Sequence, residues 1–250
     1  MLFKDLTPFI LLLLALFVET GFIVGGIAMH AANRRAEAQV IKARWLKFGT
    51  YFIIMHCMLF AASWGPPVFP VVILVLAVIG AFEMVRATSR AMFSWPLVPT
   101  TAYSIYFFAA AGAILFAAAY GPGTAVYVYL IVCVLDAYSQ LTGQLIGRHS
   151  LGASISPNKT IEGALGGTVF AIVTSFVFRS FAGFDLLHAL GCGVLLSNAG
   201  ILGDLLSSRY KRLCRIKDFS ALLPGQGGII DRFNSFFAAG TVFLVYRGFC

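Results

Sequence analysis

One segment of the chain concentrates charged residues beside glycines, although the rest of the sequence avoids charge. Five Lys and Arg residues lie between Arg209 and Lys217, and Asp218 follows directly. The segment then passes through one proline and three glycines to Asp231 and Arg232. This mixture favours a phosphate ligand held together with a divalent metal. Mg²⁺ is usually bound by one or two carboxylates plus substrate phosphates, and Lys and Arg neutralise the remaining phosphate charge.

Further ionisable residues interrupt or flank the apolar segments. Asp136 and Asp204 lie in or at the end of apolar runs, where an acidic side chain is costly and marks a functional candidate. Lys159 and Glu162 belong to the loop ISPNKTIEGALGG. Structural explanations also exist: a surface pair for Lys217 and Asp218, a bond to a Ser or Thr of another helix for Asp136, a helix cap for Glu162, a solvent-exposed helix end for Asp204, and a plain turn for Gly225–Gly228. Their occurrence on one side of the predicted bundle favours a site.

The composition predicts how these residues are positioned. The chain has 250 residues, of which 60% are hydrophobic and 11% are charged, whereas a soluble domain carries about 25% charged residues. We therefore predict an all-α polytopic transmembrane helix bundle of about eight spans. The predicted spans are Pro8–Met29, Phe48–Trp64, Pro67–Phe82, Val98–Tyr120, Thr124–Ile146, Gly163–Phe181, Leu186–Leu206 and Ile229–Phe249. Residues 1–120 would form the N-terminal helices, and residues 121–250 the C-terminal helices that carry the site.

The basic residues predict an orientation. Of the 18 Lys and Arg residues, all but Lys4, Arg179 and Arg247 fall in or beside the first, third, fifth and seventh connections. Positively charged connections stay in the cytoplasm. We therefore predict both termini outside, the odd-numbered connections in the cytoplasm, and an integral protein of the bacterial inner membrane with a cytoplasmic active site.

The sequence disfavours two other kinds of site. The formal charge of +8 is accounted for by topology and the candidate site, and no basic face interleaved with aromatic residues predicts nucleic-acid binding. The five Cys and four His are scattered without a CxxC or CxxH pair, so we expect neither disulfides nor a zinc site.

The segment SSRYKRLCRIKDFSALLPGQGGIIDRFN resembles the signature of the phosphatidate cytidylyltransferases, also called CDP-diacylglycerol synthases. The matching residues are Ser208, Lys211, Arg212, Lys217, Asp218, Ser220, Pro224, Gly227, Gly228, Asp231 and Arg232. Upstream, SPNKTIEG (residues 156–163) and Asp136 with Gly143 and Gly147 resemble two further elements of that family. Three residues depart from the pattern: Tyr210 replaces an aliphatic residue, Gln226 a His, and Asn234 an Asp.

The resemblance implies transfer of CMP from CTP to phosphatidate, giving CDP-diacylglycerol and pyrophosphate. The implied partners are CTP, phosphatidate and other membrane lipids, and the implied cofactor is Mg²⁺. A second cation and a homodimer stay open. The implied roles are metal binding for Asp204 and Asp231; support of the metal or of a basic residue for Asp136; phosphate binding for Lys159, Ser156, Thr160, Lys211, Arg212 and Lys217; orientation of Lys217 or Arg212 for Asp218; neutralisation of pyrophosphate for Arg232; and substrate contact for Ser208, Gly227 and Gly228.

Two alternatives remain at the level of sequence. A related enzyme could act on another lipid phosphate or on a polyprenol. A non-enzymatic membrane protein, either a degenerate paralogue or a transporter, is the second. A transporter places ionisable residues near the middle of the membrane and often contains inverted repeats, whereas here these residues lie at one face and no repeat is visible.

Overall fold

The structure, a computed structural model, describes residues 8–249 apart from residues 35, 92, 94, 153–154 and 157–158. Within them the chain forms eight α-helices and one short 3-10 helix at Arg179–Ala182. The helices are α1 (Pro8–Ala32), α2 (Ala38–Trp64), α3 (Val68–Ser89), α4 (Leu97–Ala119), α5 (Pro122–Ile146), α6 (Ile161–Val177), α7 (Leu186–Leu213) and α8 (Ile229–Gly248).

The helices form an apolar bundle suited to a membrane. In the described residues, six helices (α1 to α5 and α7) are long and apolar enough to cross one, and a span needs about 20 such residues. Helix α6 is apolar but has only 17 residues, and α8 has Asp231 in its first turn. The prediction of an all-α transmembrane bundle is confirmed, and the predicted number of about eight spans agrees roughly with the eight helices, of which six meet the length and hydropathy of a span. The chain is an integral membrane protein.

Three helices extend well beyond the bounds that the hydropathy pattern predicts. Helix α2 begins at Ala38, before the predicted start at Phe48. Helix α3 continues to Ser89, beyond the predicted end at Phe82, and α7 continues to Leu213, beyond the predicted end at Leu206. The predicted spans were too short because they followed the apolar runs, and these helices continue into charged sequence. As a result Lys47 and Lys211 lie on helices that position them rigidly.

Helix α5 lies at the centre of the bundle. Every residue from Ala125 to Leu135 is buried, and a helix that is buried all round is typical of such a position. Helix α6 packs closely along it. A Cβ atom placed on Gly167 would lie 2.7 Å from the Leu135 carbonyl oxygen, so the close approach of the two backbones requires glycine there.

Helix α8 joins the N-terminal and C-terminal helices. The ring of Phe236 lies 6.1 Å from Phe69 of α3, 6.3 Å from Phe116 of α4 and 5.7 Å from Tyr129 of α5, between ring centroids. These edge-on arrangements are favoured between aromatic rings. The charged first turn of α8 is therefore fixed by packing against both parts of the sequence. The division into residues 1–120 and 121–250 stays a prediction.

Candidate active site

The charged segments converge at one end of the bundle, which we call the charged end. It contains the N-termini of α2, α6 and α8 and the C-termini of α3, α5 and α7. Long-range hydrogen bonds cross it. The Gln226 side-chain amide donates to the Lys47 carbonyl oxygen at 2.7 Å, and Arg212 Nε donates to the Ile155 carbonyl oxygen at 3.2 Å. The predicted convergence of charged residues at one end is present in the structure.

Asp231 is a buried carboxylate at the charged end whose two oxygens are both hydrogen-bonded. Its Oδ1 accepts a hydrogen bond from Lys211 Nζ at 2.6 Å. Its Oδ2 accepts from the backbone N–H of Phe219 at 2.9 Å and of Gly228 at 2.8 Å. The Asp231 side chain is only 1% exposed. A buried charge is tolerated when it is paired and hydrogen-bonded, and here those bonds fix the loop before α8 to the end of α7.

Glu83 of α3 completes the N-terminus of α8. This buried carboxylate accepts from the backbone N–H groups of Ile229 and Ile230, both at 3.0 Å, and from Ser220 Oγ at 2.6 Å. The first N–H groups of a helix have no partner within it, and the positive end of the helix dipole favours an anion. A Cβ atom on Gly228 would lie 2.5 Å from Glu83 Oε1, so glycine is required for the carboxylate to approach.

Glu83 is absent from the predicted site because the predicted third span ends at Phe82, which placed Glu83 in a connection. The rule that singled out Asp136 as an acidic residue in an apolar run applies to Glu83 as well.

The turn before α8 contains the two glycines that were predicted to contact substrate, and their N–H groups are hydrogen-bonded within the protein. The N–H of Gly227 donates to the Leu223 carbonyl oxygen at 3.1 Å, and that of Gly228 to Asp231. Contacts of Gly227 and Gly228 with substrate stay predictions.

A second group of charges lies between α5 and α7. We call it the α5–α7 cleft, and its residues are Asp136, Lys159, Asp204 and Arg232. Lys159 forms an ion pair with Asp204, and Asp204 is 32% exposed. Asp136 interacts electrostatically with the other three residues. Asp136 is exposed, so a ligand can reach it.

The carboxylates differ in their fitness for the expected Mg²⁺. Asp231 already receives three hydrogen bonds and is buried, so it has little capacity left for a metal. Asp136 and Asp204 share the cleft, and the Asp136 carboxylate has no hydrogen bond or ion pair within the described residues. These residues include no group of three or more His, Cys, Asp or Glu placed for a metal. Mg²⁺ is commonly held by one or two carboxylates plus substrate phosphates, and the donor chemistry of Asp136 and Asp204 fits this better than that of Asp231. The metal roles of Asp204 and Asp231 stay predictions.

The loop before α6 is held by its own polar residues, although its Pro157 and Asn158 lie outside the described residues. Thr160 Oγ1 accepts from the Gly163 N–H at 3.1 Å and caps α6. Glu162 accepts from the His149 ring at 2.5 Å and from the Arg148 N–H at 3.1 Å. The hydrogen bond from the His149 ring contributes most, and together with the backbone hydrogen bonds it lowers the pKa of the Glu162 carboxyl to about 2. Glu162 thus anchors the loop.

Three residues with predicted phosphate contacts belong to this loop and to the helix end beside it. The N–H of Ser156 donates to the Gly152 carbonyl oxygen at 2.8 Å. Arg212, at the end of α7, holds Ile155 and is exposed. Thr160 and Arg212 therefore position the loop that carries Lys159. The phosphate contacts of Ser156, Thr160 and Arg212 stay predictions.

The α2 helix brings a cation that the sequence analysis assigned only to orientation. Lys47 is exposed, and its charged neighbours are Arg232, Lys217 and Asp218. Three cations thus face one carboxylate, which favours an anionic ligand. Lys217 and Asp218 are exposed, and no ion pair joins Asp218 to Lys217 or Arg212 in the part of the chain described. Ser208 is buried. The roles predicted for these signature residues stay predictions.

The three departures from the family pattern occupy structural positions. The Tyr210 hydroxyl lies 2.6 Å from Thr88 Oγ1 and links α7 to α3. Gln226 is buried, and its backbone carbonyl accepts from Arg232 Nε at 2.8 Å. Asn234 Oδ1 accepts from the Ser235 N–H at 2.5 Å. Gln226 therefore connects Arg232 to α2, a role that needs no proton transfer.

Comparisons with known proteins agree with these features. A family model described as the cytidylyltransferase family matches residues 6–250. The phosphatidate cytidylyltransferases of Staphylococcus haemolyticus (strain JCSC1435) and Staphylococcus aureus (strain COL) are each 43% identical to this chain over 112 residues. That stretch is 44% of this chain and 43% of each relative, so it spans less than half the length of these curated relatives. Because the family model matches nearly the whole sequence, the chain belongs to the cytidylyltransferase family.

Proposed function

We propose that this protein transfers CMP from CTP to phosphatidate, producing CDP-diacylglycerol and pyrophosphate. The observation that carries the proposal is the family match over residues 6–250, together with relatives named phosphatidate cytidylyltransferase. The geometry supports it: two Lys–Asp pairs, Lys159–Asp204 and Lys211–Asp231, lie at the same end of a membrane bundle. A lipid substrate can keep its acyl chains in the bilayer while its phosphate meets CTP there.

The reaction joins two anions. An oxygen of the phosphatidate phosphate attacks the α-phosphorus of CTP and forms a new P–O bond. The bond between the α-phosphorus and the bridging oxygen to the β-phosphate breaks, and pyrophosphate leaves with that electron pair. The attacking phosphate is already an anion near neutral pH, so a strong general base is not required. Catalysis depends on positioning and on stabilising charge in the transition state.

The residues of the charged end take separate roles in this proposal. Lys159 and Arg232 in the α5–α7 cleft, with Lys217 and Lys47 at its rim, neutralise the phosphates of CTP and of the lipid. Lys211 is bound to Asp231 and holds the first turn of α8 in place. Mg²⁺ held by Asp204 and Asp136 would supply Lewis-acid neutralisation of phosphate oxygens.

We place the charged end in the cytoplasm of a bacterial cell, at the inner membrane. The excess of Lys and Arg in the connections at this end supports that orientation. CTP is present on the cytoplasmic side, so the orientation agrees with the substrate. A homodimer is an additional proposal, and cross-linking of the protein in membranes tests it.

The test of the reaction uses the purified full chain in detergent with phosphatidate, Mg²⁺ and labelled CTP. We expect labelled CDP-diacylglycerol and an equal amount of pyrophosphate, both abolished by a chelator. Omission of phosphatidate is the control for CTP hydrolysis. Absence of product from a monodisperse protein would contradict the proposal. Product formation by Gln226→His plus Asn234→Asp, but not by the wild type, would show that the two departures inactivate this chain.

A further inference from the structure

A groove at the charged end contains none of the residues of the α5–α7 cleft. It runs between the last turns of α3 and the segment 220–222, and its volume is about 380 Å³. Its lining includes the apolar side chains of Ile79, Phe82 and Leu222. We call the exposed Arg86 its mouth, and the buried Glu83 with the half-buried Ser220 its floor. The groove is thus lined by apolar side chains, one exposed cation and one buried, hydrogen-bonded acid.

The walls of the groove are unusually exposed for large apolar side chains. Phe82 is 71% exposed and Leu222 is 55% exposed. Phe82 faces outward on a membrane-spanning helix, so lipid contact is its natural environment. Leu222, by contrast, belongs to the polar loop between α7 and α8. An apolar residue of a loop that joins Phe82 in one groove indicates an apolar ligand at that place.

The charge at the mouth selects among apolar ligands. Arg86 lies in the last turn of α3, is exposed, and makes no hydrogen bond or ion pair with its guanidinium in the part of the chain described. A guanidinium binds phosphate well because its planar donors match the phosphate oxygens. The only acid of the groove, Glu83, is buried and already bonded to Ser220, Ile229 and Ile230. An apolar groove with a free cation at its mouth fits an amphiphile with an anionic head.

The groove is joined to the first turn of α8 through Glu83 and Ser220. Ser220 Oγ donates to Glu83 at 2.6 Å, and Glu83 accepts the first N–H groups of α8. The neighbouring Phe219 donates its N–H to Asp231. A ligand in the groove therefore contacts the segment that fixes the first turn of α8. That segment is hydrogen-bonded to Asp231, which in turn is paired with Lys211.

We propose that this groove binds phosphatidate, with one acyl chain between Phe82 and Leu222 and the phosphate on Arg86 as the lipid enters the site. The identification of the lipid rests on the proposed function. The chemistry of the groove itself requires an anionic head and an acyl chain, so phosphatidylcholine, which has no net charge, should bind poorly.

The first experiment locates the lipid without any turnover. Wild-type protein in detergent is irradiated with phosphatidate that carries a diazirine in one acyl chain, and labelled peptides are identified by mass spectrometry. We expect labels around Phe82 and Leu222, removed by excess unlabelled phosphatidate but not by phosphatidylcholine. Labels spread equally over other exposed apolar residues, such as Leu165 on α6, would overturn the proposal.

The second experiment fills the groove. In Leu222→Trp we expect the KM for long-chain phosphatidate to rise about tenfold, because the bulky ring displaces several buried methylene groups, while the KM for CTP is unchanged. Leu165→Trp, at a residue that is 63% exposed on α6, is the matched control and should match the wild type. Unchanged KM values in Leu222→Trp would overturn the proposal.

A charge variant tests the mouth. We expect Arg86→Gln to raise the KM for phosphatidate by about fivefold and to leave the KM for CTP unchanged, since a single exposed ion pair is worth up to about that factor. Arg90→Gln, one turn further along the chain, is the control. Equal effects of the two variants would show bulk attraction of anionic lipid and would overturn the specific role of Arg86.

The outcomes separate the two proposals. A wild-type protein that forms no CDP-diacylglycerol but is labelled in the groove by phosphatidate contradicts the proposed reaction and supports an anionic-lipid site. A wild-type protein that is active but is neither labelled in the groove nor affected by Leu222→Trp supports the reaction and overturns the groove.

Discussion

Two pairs of carboxylates at the charged end contrast in how completely they are bonded. Glu83 and Asp231 at the N-terminus of α8 are buried, and each accepts three hydrogen bonds. In the α5–α7 cleft, Asp204 is 32% exposed with Lys159 as its ionic partner, and Asp136 is exposed. Because a buried carboxylate with three hydrogen bonds has little capacity left for a ligand, we expect a structural role for the first pair and propose the chemistry for the second.

The largest effect on turnover is expected for Asp204→Asn. The side chain keeps its size but loses the charge that faces Lys159 and fits Mg²⁺. Loss of one electrostatic contact to a transition state costs about 10²–10³-fold in kcat. We expect that loss in initial rates of CDP-diacylglycerol formation, with thermal unfolding in detergent unchanged.

Asp185→Asn is the matched control for Asp204→Asn. Asp185 precedes α7 at the opposite end of the same helix, where its side chain caps the helix by accepting the His188 N–H. The rate of the Asp185→Asn variant should therefore match that of the wild type. A wild-type rate in Asp204→Asn would move the chemistry out of the α5–α7 cleft and break the contrast between the two pairs.

Asp231→Ala should instead affect stability first. Removal of one partner of a buried ion pair costs about 3–5 kcal/mol, because the other charge is left unpaired. We expect a lower unfolding temperature in detergent and a loss of activity that follows the loss of folded protein. Activity abolished in a protein that unfolds at the wild-type temperature would contradict this and favour the metal role that the sequence predicts for Asp231.

The double variant Asp231→Ala with Lys211→Met sharpens this prediction. If Lys211 serves mainly to balance Asp231, removing both should cost less stability than the sum of the single changes. Additive losses would show that Lys211 makes its main contribution elsewhere, for example to a substrate phosphate.

Much of the fold follows from local sequence, because apolar runs of spanning length and their polar boundaries are visible without tertiary information. The convergence of Asp204, Lys159 and the segment Arg209–Arg232 at one end could also be predicted, because alternating spans return the chain to the same side. The bounds of α2, α3 and α7 could not, because all three helices continue into charged sequence that hydropathy assigns to connections.

The division of labour among the carboxylates was beyond the sequence. Glu83 is 146 residues from Ile229, whose N–H it binds, and Lys47 is 179 residues from Gln226. Local patterns do not encode such pairings, which arise only when the packed helices place α2 and α3 beside α8. For the same reason Asp204 and Asp231 looked equivalent in the sequence. In the structure Asp231 is buried with three hydrogen bonds, whereas Asp204 is partly exposed and paired with Lys159.

Glu83→Gln tests whether the bonded pair is structural throughout. The amide keeps one oxygen acceptor but presents an NH₂ group to a helix N–H, and an unsatisfied buried group costs about 1–3 kcal/mol. We expect a lower unfolding temperature and a modest fall in kcat. Glu37→Gln, an exposed acid whose side chain does not cap α2, should change neither. A stable Glu83→Gln protein without activity would place Glu83 among the reacting groups instead.

The smallest effect is expected for Lys47→Met, which removes a cation from the rim and leaves both carboxylate pairs intact. Exposed charge pairs contribute up to about 1 kcal/mol, so the KM for CTP should rise by no more than about fivefold while kcat is retained. Raising the salt concentration should reduce the difference from the wild type, because exposed charges are screened. Lys42→Met, on the same helix and also exposed, controls for the loss of positive charge in general. If the two variants are equally impaired, the rim attracts anions only through its net charge, and the α5–α7 cleft alone must recognise the nucleotide.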